Sequence, residues 1–71
     1  MSNNVYKTIE ITGSSTTGVE DAVSGAVAKA SETVRNLDWF EVSTIRGQIV
    51  DGEVAHFQVQ MKVGFRIETR D

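Results

Sequence analysis

A chain of 71 residues with 10 acidic and 7 basic side chains, formal charge -3, makes one domain and leaves no room for an inter-domain cleft. It has no basic surplus for counterion-driven nucleic-acid binding. Without cysteine it has no disulfide, zinc–thiolate site or thiol nucleophile. No apolar run approaches the roughly 20 residues that span a bilayer. The opening Met1-Ser2-Asn3-Asn4 lacks the basic head and apolar stretch of a secretion signal. The expectation is a single domain over residues 1–71, in the cytoplasm, with neither nucleic-acid nor membrane partners. Its 39% hydrophobic and 24% charged content suits a folded chain. A chain this short buries only about 60% of its unfolded surface, and small domains without staples often gain stability by oligomerising. Self-association and a self-sufficient monomer are both open at this point.

Val5, Lys7, Ile9 and Ile11 alternate with Tyr6, Thr8 and Glu10, the period of a half-buried strand. Turn formers from Thr12 to Gly18 are expected to end it. The period then changes. Val19, Ala22, Val23, Ala26, Val27, Ala30, Val34 and Leu37 share one helical face, which predicts an amphipathic helix of about five turns. Ser15 could cap it, or Thr17 with Glu20 could form a capping box. Asn36 is the expected stop. Trp39 to Val50 is β-rich, and Asp51-Gly52 is a two-residue hairpin signal. From Val54 to Ile67 the alternation is clean, with Ala55, Phe57, Val59, Met61, Val63, Phe65 and Ile67 on one face. The reading is α+β, in the order β-α-β-β. One amphipathic helix packs on a three-stranded antiparallel sheet, in two layers, with the first strand beside the long third one.

A simple register from the hairpin turn sets Trp39 opposite Gly64, Glu41 opposite Lys62, Ser43 opposite Gln60 and Ile45 opposite Gln58. Trp39 then lies on the face away from the helix, near Gln58, Gln60 and Lys62. Three readings of this indole stand: a subunit-interface residue, a plainly exposed one, or a stacking platform for a planar ligand whose edge Gln58 reads with its amide. Arg46 and Arg66 are either solvated strand-end charges or forks for phosphate or carboxylate. In the simple register Arg46 points toward the core unless Gly47 makes a bulge. No catalytic set emerges. His56 stands alone, Glu20 and Asp21 suit the helix dipole, and the Gly13–Gly18 loop lacks phosphate-loop spacing.

The runs Leu37-Asp38-Trp39-Phe40-Glu41-Val42, Ile45-Arg46-Gly47, His56-Phe57-Gln58-Val59 and Lys62-Val63-Gly64-Phe65-Arg66 together resemble the dodecins, small flavin-binding proteins of bacteria and archaea. The likeness covers the chain from the first strand through Glu68. It implies a sheet wrapped around one helix and a hollow homododecamer. It also implies flavins held in pairs between Trp rings at subunit contacts. Trp39 matches the stacking Trp and Gln58 the Gln on the isoalloxazine edge. Arg46 and Arg66 sit where members that hold FMN carry phosphate contacts, which favours FMN over riboflavin. Some bacterial members also bind coenzyme A. The implied role is flavin storage with quenching of the excited flavin, not turnover. A self-assembling structural or interaction protein with a plain Trp interface is the alternative.

Overall fold

The computed structural model describes residues 3–68; Met1 and Ser2, read above for a leader, and residues 69–71 lie outside them. The chain runs β1 (Tyr6–Ser15), α1 (Val19–Ala30), β2 (Leu37–Val50), β3 (Glu53–Arg66). The sheet is antiparallel in the order β1-β3-β2. The β-α-β-β order and the central place of the third strand agree with the sequence reading.

The expected strand end at Thr12-Gly13 is not there, because β1 continues to Ser15. Gly13 is a close-approach residue instead of a turn. A Cβ built on it would run into the Ala22 carbonyl oxygen and come within 2.9 Å of the Ala26 Cβ. The missing side chain is what lets α1 cross β1 so closely. Ser15, buried at the end of β1, secures the helix start from outside. Its Oγ accepts the N–H groups of Thr17 (2.9 Å) and Gly18 (3.2 Å) and donates to Asp21 Oδ2 (2.8 Å). The residue in the capping position is Gly18, with no side-chain cap, so the Thr17–Glu20 capping box does not form.

The helix is also shorter than its apolar period suggests, 12 residues ending at Ala30. Ser31 Oγ donates to the Ala28 carbonyl (2.8 Å) and Thr33 Oγ1 to the Ala30 carbonyl (3.5 Å). Such back-bonding competes with helix propagation. A loose turn follows, closed by Thr33 N–H and Val34 N–H on the Ala30 carbonyl (3.1 and 3.0 Å). Leu37 keeps the apolar spacing because the start of β2 packs against the core, while Val34 is half-buried in the turn. Asn36, φ 66°, reverses the chain into β2.

Ala22, Val59, Met61 and Val63 are buried, with Ile9, Ile11, Val19, Val23, Ala26, Val27 and Leu37 packed around them. Helix α1 lies over β1 and β3. The helix-side residues of β2 reach past it: Phe40 is 52% exposed and Ile45 56%. The chain measures 58 × 20 × 13 Å with a radius of gyration of 15.0 Å, against about 11 Å for a compact chain of this length. One copy does not bury its own apolar face.

The β2–β3 hairpin closes at Asp51 (φ 53°) and Gly52 (φ 78°), the positive pair a type I′ turn requires. Its register is not simple. Pairing slips between Gln48 and Ile49, where Ala55 is passed over, and slips back between Val42 and Thr44, where Ser43 is the extra residue. A further shift lies between Leu37 and Trp39. The bulge that the Arg46 assignment needed therefore exists, though not at Gly47. Gly47 pairs regularly with Phe57, at a position where a Cβ would approach the His56 carbonyl oxygen to 2.6 Å.

Candidate functional site

Trp39 stands opposite Gly64, as the sequence register has it. The bare Gly64 backbone is what the indole rests on. A Cβ built at Gly64 would fall on Cε2 and Cζ2 of Trp39 and lie 2.6 Å from its Nε1. The ring therefore lies across β3 where a side chain would otherwise stand, and it stays 42% exposed. An apolar cleft of about 110 Å³ opens beside it, between Val27, Leu37, Phe40 and Val63.

The slip between Gln48 and Ile49 puts Arg46 opposite Gln58, and Thr44, in place of Ser43, opposite Gln60, and the slip at Ser43 then restores the register toward Trp39. Arg46 thus joins the outer face, and the core-side orientation of the simple register is corrected. Its Nε–H donates to Gln58 Oε1 at 3.1 Å. Ser14 of β1 flanks Gln58 on the other side. Arg66, two residues past Gly64 on the same alternation, belongs to the Trp39 end. Its backbone is tied to Asn36, whose carbonyl accepts the Arg66 N–H at 3.1 Å and whose Nδ2 donates to the Arg66 carbonyl at 3.5 Å. Arg66 lines a separate groove of about 430 Å³ with Arg35 and Glu68, which are paired at 3.4 Å.

The four candidates thus form two pairs. Trp39 and Arg66 hold one end of the outer face, and Arg46 and Gln58 lie near its middle. Gln58 lies six residues along β3 from Gly64, about 20 Å at strand rise. The placement of Gln58 beside Trp39 within one copy is therefore corrected. No planar ligand of ordinary size touches both within a single copy. Between the pairs runs a polar rung with Lys62 flanked by Glu10 on β1 and Glu41 on β2. The Glu41–Lys62 register is as expected, while the ion pair within 4 Å among the described residues is Arg35–Glu68.

The Arg46–Gln58 bond is the feature the sequence reading missed. A signal for it was available. The helix-side apolar positions of β2 change parity, from Phe40 and Val42 to Ile45, and only an extra residue between them keeps all three on one face. Among the described residues no group of three or more Asp, Glu or His could hold a metal, and no helix is long and apolar enough to cross a membrane.

The dodecin family profile matches residues 5–68. The dodecin of Thermus thermophilus is 50% identical over 64 residues, 90% of this chain and 93% of that protein. The solved dodecin of Streptomyces coelicolor is 56% identical with a TM-score of 0.90, covering 99% of this chain and 100% of that one. The dodecin of Streptomyces davaonensis is 50% identical with a TM-score of 0.90, covering 96% and 100% respectively. Alike in sequence from the first strand to the last and in fold over nearly all its length, the chain belongs to the dodecin family of small flavin-binding proteins.

Proposed function

We propose that the protein stores FMN, with ligands stacked in pairs between Trp39 rings where copies of the chain meet, and that it quenches the excited flavin. The observation that carries this reading is the indole laid bare across Gly64 on a polar sheet face. That arrangement fits an isoalloxazine. The ring is pressed flat by backbone from behind and open in front, which suits offset stacking. Gln58 would meet the polar edge of the ligand. The guanidinium groups of Arg66 and Arg46 would meet its phosphate, where a fork matches the oxygens. Two Arg residues favour FMN over riboflavin.

The distance between the two pairs supports a site shared by two copies, since only a second chain can bring a Gln58 to this Trp39. The uncovered helix-side residues Phe40 and Ile45 support self-assembly on independent grounds. A closed homo-oligomer, the dodecamer of the resemblance, would cover them and hide both sheet edges. When bound, the flavin supplies visible absorption and an excited state that accepts an electron. The indole supplies the donor at stacking distance, so excitation decays without chemistry. The reading requires no general base and no substrate cleft, and it places the store in the cytoplasm.

The test is titration of FMN, riboflavin and lumichrome into the purified oligomer, following flavin fluorescence. Strong quenching on binding, recovered in Trp39→Ala, is the expected result. A colourless oligomer that leaves FMN fluorescence untouched would sink the proposal and leave Trp39 as plain interface. Flavin reduction by NAD(P)H at a catalytic rate would replace storage with an enzyme.

A further inference from the structure

We propose that Arg46 is a positioning residue that fixes which end of the Gln58 amide faces the ligand, and so sets which ring edge the site accepts. The inference rests on the flavin-binding reading and deepens it. It starts from the 3.1 Å bond between Arg46 Nε–H and Gln58 Oε1.

A guanidinium has donors only, so the amide can meet it with its oxygen and not with its nitrogen. That removes the two-fold ambiguity of an amide side chain. With Oε1 turned to Arg46, Nε2 is the end turned away, and its two N–H groups are what the amide presents there; the second lone pair of Oε1 stays beside the guanidinium. The site then offers donors and selects a heteroaromatic edge of carbonyl oxygens and imine nitrogens. A ring edge made of N–H groups would meet donors, not acceptors, at the Nε2 end. The neighbour on the other strand does not impose this choice. Ser14, on the other flank of Gln58, has a hydroxyl that can donate or accept and would tolerate either end.

The bond uses only Nε of Arg46, and the four Nη N–H groups remain free for phosphate. One side chain can therefore act twice, on the ring through Gln58 and on the phosphate directly. The slip between Gln48 and Ile49 makes this possible by setting Arg46 opposite Gln58, and the extra residue Ser43 then returns Trp39 to the same outer face.

Without Arg46 the amide is free to flip, which alone would cost about two-fold, and its side chain is also free to leave this rotamer, so the apparent affinity falls by the smaller fraction that remains both in place and correctly turned. The probe is lumichrome, which has the ring carbonyls and no phosphate. We expect Arg46→Ala to weaken lumichrome about three- to ten-fold when Gln58 is present, and to change it less than about two-fold in a Gln58→Ala background. Arg46→Met, which keeps the aliphatic stem, serves the same cycle if the alanine variant does not assemble. Gln58→Glu keeps an acceptor for Arg46 but has no N–H, and should bind lumichrome as poorly as Gln58→Ala. Full affinity in Gln58→Glu would overturn the proposal. So would an equal loss from Arg46→Ala in both backgrounds, or no loss in either while FMN binding falls. A ligand-free neutron structure of Arg46→Ala, which tells amide nitrogen from oxygen, with the amide still turned as here would also overturn it. An unsubstituted protein that binds neither FMN nor lumichrome would instead remove the flavin reading itself, and this proposal with it.

Discussion

Trp39 and Gly64 are halves of one feature: the indole occupies the space that a side chain on the opposite strand would fill. The Gly64 φ is not in the left-handed region, so an alanine there meets no backbone penalty. Its methyl group meets the ring instead. We expect Gly64→Ala to lift the indole off β3 and weaken FMN at least ten-fold, with secondary structure unchanged. Titration alongside far-ultraviolet circular dichroism checks this. Undiminished FMN binding would mean that the resting place of the ring does not matter.

Arg66→Ala separates phosphate from ring. A charge-assisted bond to phosphate is worth about 1.5–3 kcal/mol, which is roughly ten-fold or more in affinity. FMN should lose that factor while riboflavin stays within about two-fold. Parallel titrations decide it, and equal losses for the two ligands would take the phosphate role from Arg66.

Ile45→Glu tests whether β2 is covered by another copy. The side chain is 56% exposed in one chain, so the substitution costs an isolated chain little. At a buried contact an unpaired carboxylate is costly. The expected outcome is dissociation to small species, read by analytical ultracentrifugation. An intact assembly would show that this face stays open to solvent.

Ser15→Ala removes the acceptor of two backbone N–H groups and the donor to Asp21. The loss should resemble that of a helix cap, about 1–2 kcal/mol, seen as a lower thermal midpoint. Thr17→Ala, at the capping residue of the expected Thr17–Glu20 box, should cost well under about 0.5 kcal/mol. If Thr17→Ala costs more than Ser15→Ala, the roles are reversed.

Much of this architecture can be read from residue order. The period change at Val19, the Asp51-Gly52 turn and the alternation of β3 give the element order and the Trp39–Gly64 pairing. What could not be read follows from contacts that lie far apart in sequence. Gly13 looks like a turn residue until the helix is seen to press on it. Val34 and Leu37 carry the helical apolar period past Ser31-Glu32-Thr33, where the helix has already ended and hydroxyls bond back to its last carbonyls, so periodicity overstates the length. Within the candidate site, Trp39 and Arg66 fall where the alternation puts them. Arg46 does not, because its side is decided by slips that a straight count from the hairpin turn passes over.

Ser43 carries a final consequence. It is the extra residue of its bulge, so its side chain matters less than its presence. Swapping it for another small polar residue should leave the protein unharmed, whereas deleting it would force either the tryptophan half or the arginine half of the strand to turn its back on the other. A sequence comparison that scores identities would pass over this position. One that counts the interval between the aromatic and the cation would find it, and that spacing, more than any single letter, should tell which relatives can assemble the same cradle.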